Sequence, residues 1–124
     1  MSRRVLVVDD DRQMVKTIRA ILDHQGWEST PAYSGEEAVE AASSGDPFGA
    51  VLMDVRMPGM NGVEACLKMH AAHPDMPVIL MTAYAAQEIL AQARRAGVVT
   101  IMPKPLAWPK LMAHLDRLSH GRPT

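Results

Sequence analysis

The chain has little of several features that define common classes of protein. Cys66 is its only cysteine, which excludes a disulfide framework and a cysteine-based metal site. Its 13 basic and 14 acidic residues give a net charge of -1, so it lacks the basic excess typical of nucleic-acid or anionic-membrane binding. No apolar run approaches the roughly 18 residues of a membrane span, and the run after Arg4 is too short for a secretory signal. With 124 residues, the sequence predicts one cytoplasmic globular domain.

What the chain does have is a set of short apolar runs that each end in a polar, chemically capable residue. Residues 5–8 precede Asp9, Asp10 and Asp11; residues 50–53 precede Asp54; residues 78–81 precede Thr82; residues 98–102 lead to Lys104. If these runs are parallel strands of one sheet, their carboxyl ends share one edge. We therefore expect these side chains to converge there.

Stretches with helical spacing lie between the apolar runs, and they predict five strands alternating with five helices. The weakest strand is residues 27–33, where Pro31 favours an edge position. Ser34 and Glu37 have the spacing of a capping box, and Val63, Leu67 and His70 are expected on one face of the third helix. Strict alternation predicts an α/β fold, a flavodoxin-like three-layer (βα)5 sandwich with a parallel five-stranded sheet of order 2-1-3-4-5.

Acids, and not glycines, occupy the turn after the first strand. The sequence has neither a G-x-x-x-x-G-K-[ST] phosphate loop nor a G-x-G-x-x-G motif after that strand, so nucleotide binding lacks its usual cradle. Asp9, Asp10 and Asp54 together form a dense negative site that favours a cation, and oxygen ligands suit Mg²⁺, with Mn²⁺ as an alternative. With the Thr82 hydroxyl and the Lys104 ammonium, the set predicts a phosphoryl pocket with a carboxylate nucleophile.

Four short motifs contain the polar residues at the strand ends: residues 5–11 read VLVVDDD, residues 53–64 read MDVRMPGMNGVE, residues 81–85 read MTAYA, and Lys104-Pro105 completes the set. Together and in this order, these motifs resemble the receiver domain of two-component response regulators, and the resemblance extends over nearly the whole chain. The resemblance implies a receiver domain over residues 1–118, with residues 119–124 as a polar tail or the start of a linker. It also implies a phosphorelay switch with self-phosphotransfer and autodephosphorylation only, and not an enzyme that acts on other substrates.

The resemblance assigns a role to each matching position. Asp54 is the expected phospho-acceptor, Thr82 the switch hydroxyl and Lys104 the residue that binds the phosphoryl group. The expected metal ligands are Asp10 directly, Asp9 through water, Asp54, and the backbone carbonyl of Arg56. Asp11 is not a required ligand, and the Lys104-Pro105 bond is expected to be cis.

The implied partners are a sensor histidine kinase or phosphotransfer protein and a downstream output protein or domain, reached through the helix 4, strand 5, helix 5 face. A homodimer on activation is a further implication, and no contact with nucleic acid or membrane is expected from this domain. One position departs from the family pattern, because Ile101 stands where receivers usually carry Tyr or Phe; Tyr84 is a nearby aromatic that could report the state instead.

Two other readings of the sequence stay open beside the phosphorylation switch. Ile101 favours a phosphorylation-independent interaction module on the same fold. A small phosphatase or mutase would need an acid where Arg56 stands and a cap insertion, and the sequence has neither. The five scattered histidines are expected to be solvated helix residues.

Overall fold

The computed structural model describes residues 3–84 and 86–119. Five strands and five helices alternate along this part of the chain, as the spacing of apolar residues predicts. Their bounds are β1 Arg4–Val8, α1 Arg12–His24, β2 Glu28–Ala32, α2 Gly35–Ser43, β3 Ala50–Asp54, α3 Gly62–Ala72, β4 Val78–Thr82, α4 Gln87–Ala96, β5 Thr100–Pro103 and α5 Trp108–Ser119. None of the described helices is long and apolar enough to cross a bilayer.

The strands form one parallel sheet of order β2-β1-β3-β4-β5. This confirms the flavodoxin-like fold and the edge position of β2. Pro31 pairs with Val7 on the neighbouring strand, and an edge strand tolerates a residue that has no N–H to donate. Between β1 and β3 the direction of winding reverses, and parallel α/β sheets hold their ligands at such a switch point.

Helices cover both faces of the sheet, so the three central strands are buried on each side. Alternate strand residues face opposite layers because the side-chain period of a strand is two. One layer packs Val5, Val7, Leu52, Ile79 and Met81 against apolar residues of α1 and α5. The other packs Leu6, Val8, Val51, Met53 and Leu80 against α2, α3 and α4. This double covering holds the carboxyl ends of β1, β3 and β4 in fixed register.

Side-chain caps begin three of the helices. Asn61 and Glu64 form a reciprocal capping box at α3. The predicted box at α2 is only half formed: Ser34 Oγ accepts the Glu37 N–H at 3.0 Å, but Glu37 Oε1 accepts the N–H of Tyr33, not of Ser34. At α1, Asp11 accepts the N–H groups of Gln13 and Met14, so its carboxylate is engaged as a helix cap.

The prediction that Val63, Leu67 and His70 share one face of α3 was partly wrong. Val63, Cys66 and Met69 are buried, whereas the Leu67 side chain is 54% exposed. The buried stripe follows a spacing of three residues through positions 63, 66 and 69, and Leu67 lies one position beyond it. Both residues are apolar, so residue type alone did not show that Cys66 is buried and Leu67 is exposed.

His70 also differs from its predicted solvated position. Its ring is partly buried, with Nδ1 3.1 Å from the Ala96 carbonyl oxygen and Nε2 2.8 Å from the Met76 carbonyl oxygen. The ring therefore links α3 to the end of α4 and to the segment before β4. At the carboxyl end of the chain, Ser119 lies in the last turn of α5, and residues 120–124 of the expected tail lie outside the described residues.

Candidate functional site at the carboxyl edge of the sheet

Three carboxylates meet at the carboxyl edge of the sheet. Asp9 follows β1, Asp54 ends β3 and Asp10 stands next to Asp9, and each offers an oxygen within 4.8 Å of the others. Asp9 is fully buried, Asp54 is 6% exposed and Asp10 is exposed. The convergence predicted from the apolar runs is therefore present in the structure.

Backbone contacts position Asp9. Its N–H donates to the Ala32 carbonyl oxygen at 3.2 Å, and its Oδ1 accepts the Asp11 N–H at 3.0 Å. These bonds leave Oδ2 facing the interior of the site. The Asp11 carboxylate instead caps α1 and does not belong to the group of three carboxylates.

Lys104 lies between the two buried carboxylates. Its Nζ is 2.8 Å from Asp9 Oδ2 and 3.1 Å from Asp54 Oδ2. Its backbone N–H donates to the Thr82 carbonyl oxygen at 2.9 Å, which holds the segment after β5 against β4. The Lys104-Pro105 bond is cis, as the family resemblance implied.

The surroundings of Asp54 and Lys104 shift the pKa values of both groups. Burial raises the pKa of Asp54, the neighbouring Asp9 charge raises it further, and the hydrogen bond and charge of Lys104 only partly oppose this. For Lys104, burial favours the neutral amine, but hydrogen bonds and charge attraction from Asp9 and Asp54 outweigh it, so the pKa of Lys104 is raised. Burial and the Asp9 charge thus outweigh Lys104 at Asp54, and a second cation would relieve the remaining repulsion.

The donor set fits Mg²⁺. The ion prefers oxygen ligands at about 2.0–2.1 Å and keeps several waters, so a few carboxylate oxygens with an open side are sufficient. Asp9, Asp10 and Asp54 supply only oxygen, and the exposed Asp10 leaves one side of the group open to solvent. The arrangement suits a hard divalent cation better than zinc, which favours nitrogen and sulfur ligands.

Thr82 ends β4, the strand next to Asp54, and only 2% of it is exposed. Its hydroxyl donates to the Tyr84 carbonyl oxygen at 2.9 Å and accepts the Tyr84 N–H at 3.1 Å. In this state the hydroxyl is engaged with its own loop.

Arg56 contributes a contact that the motifs did not predict. Its backbone N–H donates to Asp54 Oδ1 at 3.4 Å, and its guanidinium Cζ lies 5.2 Å from the centre of the Tyr84 ring. A signal was available in the sequence, because Arg56 follows Asp54 by two residues and Tyr84 follows Thr82 by two. Both residues therefore lie just beyond the ends of neighbouring parallel strands, at the same edge of the sheet.

Gly62 fixes the return of the chain from β3 to α3. Its N–H donates to the Val55 carbonyl oxygen at 2.8 Å. A Cβ at this position would overlap the Asp54 carbonyl oxygen and lie 3.0 Å from Val55 Cα. The loop closed in this way borders an open groove of about 580 Å³ beside the site, lined by Val55, Arg56, Met57, Pro58, Gly59, Asn61 and Ile89.

Ile101 lies on β5, partly buried and packed against the core layer formed with α2, α3 and α4. It sits opposite Leu80 in the sheet. The position where the family pattern has an aromatic ring is therefore occupied here by an aliphatic side chain at the edge of the core.

Comparison with known proteins finds relatives that match nearly the whole chain. The family profile of the response regulator receiver domain matches residues 5–116. The chain is 35% identical over 118 residues to the response regulator MprA of Mycobacterium ulcerans, covering 95% of this chain and 50% of that protein. It is 36% identical over 110 residues to a response regulator receiver protein of an Anaeromyxobacter species, covering 89% of this chain and 46% of that protein.

Solved structures show the same fold. A CheY-like receiver domain protein from Methanospirillum hungatei superposes with a TM-score of 0.88 and 28% identity, covering 98% of this chain and all 100% of that one. A chain described as adenylate cyclase from Rhodopirellula baltica superposes with a TM-score of 0.86 and 29% identity, covering 94% of this chain and 86% of that one. The chain spans about half the length of the curated relatives it matches.

Proposed function

Since this chain belongs to the response regulator receiver family of two-component signalling, we propose that Asp54 accepts a phosphoryl group from a phosphohistidine of a histidine kinase or phosphotransfer protein. The observation that carries the proposal is the placement of Asp54 Oδ2 3.1 Å from Lys104 and within one carboxylate group with Asp9 and Asp10. A nucleophilic carboxylate with a fixed cation beside it is the arrangement that aspartyl-phosphate chemistry requires.

The transfer exchanges the phosphorus–nitrogen bond of the partner's phosphohistidine for a phosphorus–oxygen bond to Asp54. One carboxylate oxygen of Asp54 attacks phosphorus as the phosphorus–nitrogen bond of phosphohistidine breaks, and the nitrogen retains the electron pair and takes up a proton. Lys104 stabilises the charge on the phosphoryl oxygens, and the Thr82 hydroxyl is within the same edge to donate a hydrogen bond. Hydrolysis of the aspartyl phosphate by water returns the domain to its resting state.

We propose that Mg²⁺ is held by Asp9, Asp10, Asp54 and the backbone carbonyl of Arg56. When bound, the ion supplies positive charge to the phosphoryl oxygens, which bear most of the charge in the transition state. Two features support this ligand set: it contains only hard oxygen donors, and burial beside Asp9 raises the pKa of Asp54, which indicates repulsion that a cation would relieve. Mn²⁺ is the expected substitute.

The output of the switch is proposed to be a change in protein contacts at the face formed by α4, β5 and α5. Apolar side chains line a groove on this face, among them Leu90, Val98 and Ile101, and Val99 beside them is 40% exposed. Phosphorylation would shift the balance between two conformations that this face can adopt. An output protein or domain, or a second copy of the chain, would bind one of them in the cytoplasm.

A pair of isosteric substitutions tests the proposal. Asp54→Asn removes the nucleophile, and we expect it to abolish acid-labile incorporation of phosphate from acetyl phosphate in the presence of Mg²⁺. Asp11→Asn is the matched control, because asparagine also caps helices well and Asp11 is engaged with α1. Incorporation into Asp54→Asn at the wild-type rate would overturn the assignment of Asp54.

Ile101 favours a second candidate function, an interaction module whose contacts do not depend on phosphorylation. An aliphatic side chain at the edge of the core lacks the ring that the family usually moves between two positions. Tryptophan fluorescence or amide NMR shifts on addition of beryllofluoride and Mg²⁺ distinguish the two functions. A response on the α4–β5–α5 face supports the switch, and a response confined to the residues around Asp54 supports the module.

A further inference from the structure

Arg56 and Tyr84 join the two loops that border Asp54. The Arg56 guanidinium lies 5.2 Å from the centre of the Tyr84 ring, although 58% of Tyr84 is exposed. The distance lies within the range in which a cation is attracted to the face of an aromatic ring. The ring of an exposed tyrosine thus contacts a residue that follows the proposed nucleophile by two positions.

The backbone of Tyr84 makes a second contact with the site. The Thr82 hydroxyl donates to the Tyr84 carbonyl oxygen at 2.9 Å and accepts the Tyr84 N–H at 3.1 Å. Tyr84 therefore contacts Thr82 through its main chain and Arg56 through its ring. One residue therefore connects the Thr82 hydroxyl with the Arg56 guanidinium, with no intervening side chain.

We propose that Arg56 and Tyr84 form a latch on the resting state, and that phosphorylation of Asp54 opens it. The inference rests on the proposed function. The Thr82 hydroxyl carries a single hydrogen, so it cannot donate to Tyr84 and to a phosphoryl oxygen at once. An anionic phosphoryl oxygen is a stronger acceptor than a carbonyl. Once the hydroxyl turns to it, the Tyr84 backbone loses its partner and the ring leaves Arg56.

The latch gives this chain an aromatic reporter where Ile101 supplies none. Ile101 has no ring, and it packs against the core beside Leu80. Tyr84 is aromatic and exposed, and its backbone carbonyl accepts a hydrogen bond from the Thr82 hydroxyl. Displacement of its ring would change the surface at the start of α4, which begins at Gln87.

Coupling between two sites is reciprocal, so a latch that phosphorylation opens must also oppose binding of a phosphoryl mimic. Exposed cation–ring contacts are weak, and the expected effect on affinity is about two- to fivefold. Tyr84→Leu should strengthen the binding of beryllofluoride by this factor when Arg56 is present. In an Arg56→Met background, where the stem remains but the charge is gone, the same tyrosine substitution should have almost no effect.

A matched cation–ring pair lies at the opposite edge of the sheet. Arg4 stands at the beginning of β1 with its Cζ 4.5 Å from the centre of the Phe48 ring. Arg4→Met therefore removes a comparable contact far from Asp54. The effect of Tyr84→Leu on beryllofluoride affinity should be the same with and without this control substitution. If Tyr84→Leu changes beryllofluoride affinity by the same factor in the Arg56→Met background, the latch is overturned.

The opening can be observed directly with fluorine NMR. The chain has two tyrosines, so 3-fluorotyrosine in a Tyr33→Phe variant gives one resonance, from Tyr84. We expect it to shift when beryllofluoride and Mg²⁺ saturate the site, and to stay in place in Thr82→Ala under saturating ligand. An unchanged Tyr84 resonance, with the Asp54 amide shift showing that ligand is bound, would overturn the latch.

Phosphate uptake from acetyl phosphate distinguishes failure of the latch from failure of the proposed function. Uptake on Asp54 with no movement of Tyr84 contradicts the latch and leaves the proposed function intact. Absence of uptake by the wild-type chain contradicts both. Uptake together with a Tyr84 shift that requires Thr82 supports both.

Discussion

The Lys104 ammonium lies 3.1 Å from the Asp54 carboxylate at the carboxyl edge of the sheet. The same ammonium is 2.8 Å from Asp9. Lys104 therefore stabilises two carboxylates at once in the resting state. It also repels any divalent cation that those carboxylates attract.

Removal of this charge should strengthen metal binding. In Lys104→Met we expect Mg²⁺ to bind about 3- to 30-fold more tightly, which corresponds to about 0.7–2 kcal/mol of relieved repulsion between charges a few ångströms apart. Calorimetric titration with Mg²⁺ measures the change. Lys110→Met, an exposed position on α5, is the control for loss of one positive charge. Equal or weaker binding in Lys104→Met would show that the ammonium does not compete with the metal.

The Cys66 thiol should make the stability of the fold depend on pH in the alkaline range. Burial raises the pKa of Cys66 to about 11 from an ordinary value of 9.0. A group whose folded-state pKa is raised contributes stability that is complete below its unfolded pKa and is lost as pH rises through the folded pKa. The free energy of unfolding should therefore fall between about pH 9 and pH 11, by at most about 3 kcal/mol.

A comparison with Cys66→Ala isolates this effect from the titration of other groups. Urea unfolding at several pH values gives the free energy of unfolding of both proteins. The difference between them should be constant below pH 8 and should change, in favour of the alanine variant, from pH 9 upward. Parallel curves up to pH 11 would contradict the assigned burial of the thiol.

Much of this site could be predicted from the sequence because strand ends are marked locally. An apolar run followed by Asp9 and Asp10, by Asp54 or by Thr82 identifies the end of a buried parallel strand, and parallel topology then places the ends together. The direction of individual side chains could not be predicted in this way. Whether the Thr82 hydroxyl faces Tyr84 depends on the geometry of the loop between β4 and α4.

Errors on α3 have a related cause. Leu67 and Cys66 differ by one position, or about 100° around the helix, and which of them is buried depends on how α3 sits against α2 and the sheet. The contacts of His70 were missed because its partners are backbone carbonyl groups of residues 76 and 96. Carbonyl groups are present at every position and leave no mark in the sequence.

His70 should contribute to stability through those carbonyl groups. Its ring atoms lie 3.1 Å from the Ala96 oxygen and 2.8 Å from the Met76 oxygen. In His70→Phe the ring volume is nearly kept but the donor is lost, and an unsatisfied buried carbonyl costs about 1–3 kcal/mol. We expect unfolding in urea to show a loss of that size.

The exposed residue His24 provides the control for this substitution. His24→Phe changes the same side chain at the end of α1, and we expect it to alter the free energy of unfolding by less than about 0.5 kcal/mol. If the two variants lose similar amounts of stability, the loss reflects the exchange of imidazole for phenyl and not the bridge between α3 and α4.

Gly62 should be the least tolerant glycine near the site, because a methyl group there meets main-chain atoms and not a movable side chain. The added Cβ would overlap the Asp54 carbonyl oxygen and lie 3.0 Å from Val55 Cα. Either the loop after β3 shifts or the fold is destabilised, by about 1–3 kcal/mol for overpacking of this kind. Gly62→Ala should therefore lower both the free energy of unfolding and the rate of phosphate uptake by Asp54.

Gly45→Ala is the control that distinguishes the steric overlap at Gly62 from the general effect of replacing a glycine. Gly45 has a φ of 142°, and a Cβ there meets nothing within 4 Å, so its substitution tests backbone strain far from Asp54. We expect Gly45→Ala to lower stability without slowing phosphate uptake once the folded fraction is taken into account. Gly62→Ala should slow uptake even when fully folded, because the overlap displaces the backbone that carries the nucleophile. Equal uptake rates per folded molecule would mean that α3 moves away and leaves Asp54 in place.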